Sequence, residues 1–144
     1  MKKISLILFL ITIIMLGGCS NDKDIYNKDL ENLGKLDRVN KLIEDTYREV
    51  VKKDYENLDE VQLKFSQFCD KAVKEAKKIG IKTKEGKEYK IATIKRIEYL
   101  KEYLITNWGK YFEDDKGLFK IDSERSKIAN EFLNKKEEIT FNGQ

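Results

Sequence analysis

Apolar residues recur at steps of three and four through a chain of 144 residues that contains no proline. This pairing constrains the fold more than any other feature. A period near 3.6 gives each helix one stripe to bury, and no pyrrolidine ring interrupts the backbone ladder. The clearest stripe is Leu58, Val61, Phe65, Phe68, Ala72, Ala76 and Ile79, predicting a helix over 58–79. Leu30, Leu33, Leu36, Val39, Ile43, Tyr47, Val50 and Val51 predict a helix over 25–55. Ile94, Ile97, Leu100, Leu104 and Trp108 predict a third from about Glu88. Ile128, Ala129, Phe132, Leu133 and Ile139 predict a fourth from about Ser123. Charged residues make up 38% of the chain, which suits exposed helix faces better than sheet. The expected fold class is all-α, a small antiparallel helical bundle of three to four helices.

Helix ends are partly marked. Asn57 suits an N-cap, with Glu60 as its capping-box partner. Lys77 and Lys78 suit a helix C-terminus, with Gly80 in the left-handed cap position and Ile81 folding back on Ala76. No glycine or proline separates Lys35 from Ile79, so one long helix stays open beside two. A turn at Asn57 is favoured because it lets one chain bury both stripes. Lys82 to Lys87 reads as a polar loop. Tyr111-Phe112 and Leu118-Phe119, around Glu113 to Gly117, read as a small hairpin or as a loop packed on the bundle. Asp122 or Ser123 is the expected cap of the last helix.

The first residues follow a different pattern. Lys2 and Lys3 precede an apolar run from Ile4 to Leu16, broken only by Ser5 and Thr12, and Gly17 and Gly18 follow. That is the order of an export signal. The run falls short of the roughly 20 residues a membrane span needs. Leu16-Gly17-Gly18-Cys19 resembles the lipobox of bacterial lipoproteins. The resemblance covers roughly the first twenty residues and does not extend to the rest. It implies a palmitate-type diacylglyceryl group on the Cys19 sulfur and cleavage just before that residue. Residues 1–18 would then be the signal peptide, 19–24 the lipidated cysteine with a short tether, and 25–144 the helical bundle. One acyl chain binds membranes only marginally, at about 0.8 kcal/mol per CH₂, whereas two hold firmly. The implied location is extracytoplasmic: the outer face of the cell membrane, or the outer membrane in an organism that has two.

Composition narrows the chemistry. The chain carries a net charge of +3, and losing Lys2 and Lys3 with the leader lowers it to +1. Nucleic acid is therefore not an expected partner. There is no histidine, the usual general base near neutral pH and the commonest metal ligand. No nucleophile elbow or phosphate-binding glycine loop is present. In "EDDKGLFKIDSE" neither register puts acids, glycine and glutamate where a calcium loop needs them. No enzyme activity, metal or cofactor is expected. Cys69, beside Phe68 on an apolar face, is predicted to be a buried thiol without a disulfide partner.

Charge is uneven. From Lys71 to Arg96 ten basic residues face three acids, and from Glu44 to Glu60 seven acids face three bases. The basic stretch suits an anionic surface, or is an ordinary solvated face. Trp108 falls on a core stripe. Tyr99 and Tyr103, four apart on a neighbouring face, join it as candidates for partner contact. The expected function is non-enzymatic binding or protection at the membrane, of the kind immunity and exclusion lipoproteins provide. Its partner would be an envelope protein, a toxin or a phage component. The alternatives are an accessory subunit of an envelope transporter or secretion complex, and an enzyme acting on wall or lipid.

Overall fold

A computed structural model describes residues 2–110, 112 and 115–142, with side chains from residue 21 onward. Four helices account for almost all of it: α1 Lys2–Val50, α2 Leu58–Lys78, α3 Lys84–Thr106 and α4 Lys116–Asn142. No strand occurs among the described residues. The helices form the expected small all-α bundle, each antiparallel to the next. α1 and α3 each touch the other three, which puts α2 and α4 on opposite flanks. Among the described residues no helix is long and apolar enough to cross a membrane.

The stripes bury as their spacing requires, but the interior is not one continuous core. Toward the α1–α2 turn, Ile43, Tyr47, Phe65, Cys69, Ile97, Leu100 and Leu104 cluster with Phe112 and Leu118. Toward the start of α1, Tyr26, Leu33, Leu36, Ala76, Tyr89 and Phe132 form a second cluster. Burying a side chain of this size contributes about 1.5–3 kcal/mol.

A polar layer from α1, α3 and α4 lies between the two clusters. Arg96, 6% exposed, donates from Nε to Asp122 Oδ1 at 2.5 Å and from Nη1 to Asn40 Oδ1 at 2.8 Å. Its Nη1 also lies 2.7 Å from Glu44 Oε1. Arg125 bridges Asp122, Asp37, the Tyr89 hydroxyl and Thr93 Oγ1. Arg96 and Arg125 thus each meet opposite charge and hydrogen bonds, the condition for tolerating a buried charge.

The favoured turn at Asn57 is borne out, while other boundaries differ from the sequence reading. Two helices, not one, cover the region from 25 to 79. Asn57 caps α2, its side chain accepting from Glu60 N at 3.1 Å. α1 stops at Val50 rather than 55, and residues 19–24, expected as a tether, continue its helical backbone. Gly80 is not left-handed, because Gly109 is the only described residue with positive φ. Distant side chains, not a Schellman turn, satisfy the last carbonyls of α2. Lys90 Nζ donates to Lys77 O and Ile79 O at 2.6 and 2.7 Å, and Asn32 Nδ2 to Gly80 O at 2.8 Å.

The expected loop at 82–87 is mostly helix. Thr83 caps α3, and Gly86 sits where a Cβ would come within 2.5 Å of Thr83 Oγ1. α4 starts at Lys116, not Ser123, so Leu118 and Phe119 belong to a helix and not to a hairpin. Asp115 accepts from Leu118 N at 2.8 Å in the capping role given to Asp122 or Ser123. Asp122 instead serves the polar layer. Tyr111, Glu113 and Asp114 lie outside the described residues, as do the side chains of Leu16, Gly17, Gly18 and Cys19.

Candidate functional site

A large concavity lies between α1 and α2, near their connection. Val50 and Thr46 of α1 form one wall, Val61, Lys64 and Phe68 of α2 the other, and Tyr55 and Glu56 of the connection its end. It encloses about 590 Å³. A second hollow of about 230 Å³ adjoins it at Phe68, lined by Val39, Leu42 and Ala72. On α1 the two run from Val39 to Val50, about 16 Å or three helical turns. Along this furrow Leu42 is 54% exposed and Tyr55 36% exposed.

The furrow has an aromatic floor. Phe65 is 3% exposed and packs against Tyr47 at 5.7 Å and Trp108 at 5.9 Å between ring centroids. Trp108 stands edge-on to Tyr47 at 83°. The Tyr47 hydroxyl accepts from Gly109 N at 2.9 Å and donates to Lys110 O at 3.2 Å. Gly109 adopts φ +83°, the left-handed turn that brings its amide to that hydroxyl. Burial pushes the Tyr47 phenol above its ordinary pKa, so it stays neutral.

The rim toward the α1–α2 connection, the elbow of the bundle at residues 51–57, is acidic. Glu56 and Glu60 border the furrow, within the stretch where seven acids face three bases. Glu60 pairs with Lys64 at 2.6 Å, and that hydrogen bond holds its carboxyl below the ordinary range. Chemically, this is an apolar trough with a negative end: it can desolvate apolar side chains and attract cations.

The residues singled out from sequence fall elsewhere. Trp108, Tyr99 and Tyr103 are half-buried and pack against the core cluster beneath the furrow; none of them lines it. Tyr99 donates to Asp115 Oδ1 at 2.7 Å, which ties α3 to the start of α4. Cys69 is fully buried, and burial pushes its thiol up to about 12. The sequence reading missed the furrow because each lining residue is ordinary within its own stripe. One signal was available: Leu42 breaks the stripe of α1 and leaves an apolar residue outside it.

The furrow lies at the end of the bundle opposite residue 21. Tyr26 packs on Phe132 of α4 and bonds Glu85 of α3 there. Thr46 is 27 residues beyond Cys19 on the same helix, about 40 Å along its axis. No family model matches this chain, and comparison with curated proteins and with solved structures gives no match.

Proposed function

We propose that this protein is a lipid-anchored binding module at the outer face of a bacterial membrane, and that its α1–α2 furrow receives an amphipathic helix of a protein partner. The furrow carries the reading. An open apolar trough three turns long between two antiparallel helices suits a helix laid along it, with side chains at i, i+3 and i+7 as anchors. Its acidic end favours a partner helix with basic residues at the matching end. Cys19, on the lipobox resemblance, carries the anchor, and α1 then holds the furrow about 40 Å from it.

The proposed role is binding, not catalysis. A wall- or lipid-cleaving enzyme needs a cleft carboxyl raised toward neutral pKa. In the furrow Glu60 is instead held below its ordinary value by Lys64. A protective role and an accessory-subunit role use the same furrow and differ in when the partner is present.

Two experiments test the reading. Labelled fatty acid should enter the wild type and not Cys19→Ala; equal labelling removes the anchor. A photocrosslinking residue at Val61 in intact native cells should give one dominant adduct that Leu42→Asp abolishes. The same residue at Ile91, exposed on α3, should not give it. Identical adduct patterns from both positions reject the furrow. An adduct formed only on toxin or phage challenge identifies a protective module, and a constant one with a single envelope protein identifies an accessory subunit.

A further inference from the structure

The two charge-biased stretches stand at opposite ends of the bundle, and the basic one lies at the end where Cys19 enters. We propose that the α2–α3 turn, Lys77 to Lys87, is an electrostatic foot that rests on anionic lipid headgroups beside the anchor. The inference rests on the reading of Cys19 as the lipidated residue.

The turn reads "KKIGIKTKEGK", five lysines and one glutamate in eleven residues. Lys77, Lys78, Lys82, Lys84 and Lys87 are all exposed. Glu85 is occupied by the Tyr26 hydroxyl at 2.9 Å. Two of the lysines have acidic neighbours, Glu75 for Lys78 at 2.7 Å and Glu88 for Lys84 at 3.9 Å, exposed pairs that bind weakly.

The turn is fixed in place. Asp29, 2% exposed on α1, accepts from Lys82 N at 3.0 Å and Thr83 N at 2.7 Å. Asn32 and Lys90 hold its Lys77, Ile79 and Gly80 carbonyls. Asp29 is ten residues after Cys19, about 15 Å of helix rise. That is nearly two Debye lengths at physiological salt, so the lysines feel the headgroups only when the bundle tilts to bring them down. Near the anchor Asp22 and Asp24 offset Lys23 and Lys28, so the α2–α3 side is the attractive one and the bundle leans toward it. At the far end the acidic elbow is repelled by the same surface. Anchor, foot and acidic furrow thus align on one axis, with the furrow outward.

The test uses the full chain, reconstituted in vesicles of phosphatidylcholine alone or mixed with phosphatidylglycerol, with a headgroup-linked quencher. A fluorescent residue replaces Gly80, where an added Cβ meets nothing within 4 Å, or Glu56 at the far end. The probe at 80 should be quenched in anionic vesicles, released by high salt, and unquenched in neutral ones; the probe at 56 should stay unquenched. Changing the five lysines to glutamine should abolish quenching, and changing them to arginine should preserve it. Lys82→Gln alone should weaken the contact about fivefold at low salt, the fold-change equivalent to about 1 kcal/mol per basic residue near such a surface. Equal quenching in both vesicle types, or quenching that survives the glutamine variant, overturns the foot. Fatty-acid incorporation is scored on the same preparation. Acylated protein without quenching at 80 defeats the foot alone, and unacylated protein still quenched in anionic vesicles defeats the anchor alone.

Discussion

At the α1–α2 end the chain turns through residues 51–57 and is capped from within its own sequence, by Asn57 on Glu60 N. At the α2–α3 end it turns through 79–83 and is held by Asp29 and Asn32, about fifty residues away. The first turn leaves an apolar furrow open between its helices. The second closes tightly and fixes a cluster of lysines in space. Local capping ends a helix without dictating where the next one goes, whereas a cap reaching in from another helix does both. Low packing density marks the segments that open most easily, so the furrow end should be the more mobile one.

The largest expected effect falls between the two ends. Arg96→Ala strips Asp122 and Glu44 of their shared partner and should cost about 3 kcal/mol in urea unfolding, the low end for a broken buried pair because both carboxylates keep some water. A loss below about 0.5 kcal/mol would make the polar layer incidental. Next is the distant cap. Asp29→Ala leaves two turn amides without their acceptor and should cost about 2 kcal/mol. Its local counterpart, Asn57→Ala on the exposed elbow, should cost about 1 kcal/mol. Equal losses in the two variants would erase the contrast between the turns.

Tyr26 and Tyr89, both toward the α2–α3 end, extend the comparison to pH. Burial, first, and hydrogen bonding to Glu85 and Asp37 raise their phenols from 10.0 to about 12. A phenol whose pKa is higher folded than unfolded stabilises fully below pH 10 and loses that contribution as pH rises to about 12. Circular dichroism melts should therefore hold steady to pH 10 and fall steeply above it. Tyr89→Phe should flatten part of that fall. The smallest expected effect is at Gly80. An αL cap glycine resists replacement, but Gly80 is not at positive φ and has open space around it. Gly80→Ala should change stability by less than about 0.5 kcal/mol. A loss of about 1 kcal/mol would restore the left-handed cap.

Much of the fold was legible because each stripe reports its own helix. The Asn57 cap and the burial of Cys69 followed from neighbours a few residues away. The starts of α3 and α4 did not. Thr83 caps α3 with its amide fastened by Asp29, and Asp115 caps α4 while holding the Tyr99 hydroxyl. Each caps an amide three residues on, Gly86 N or Leu118 N, but the partner that holds the cap in place lies far outside that window. Arg96 was hidden differently. It counts as one more positive charge in the basic stretch, yet it shares the face of Tyr89, Thr93, Ile97 and Leu100. Periodicity gave a position for it, but charge argued against burial, and only Asn40, Glu44 and Asp122 resolve that conflict.

The sequence by itself determined the helices, the charge bias of two stretches and the lipobox-like start, because each depends on residues within one or two turns of one another. Only the tertiary structure decided that the basic stretch stands at the end where Cys19 enters, that the acidic one borders a furrow at the other, and that a paired arginine layer divides the core. Those outcomes depend on how antiparallel helices line up side by side. Alignment is set by contacts between residues fifty to ninety apart, such as the Asp29 carboxylate with the Thr83 amide and Asp37 with Arg125, whose free energy exists only once the bundle has closed.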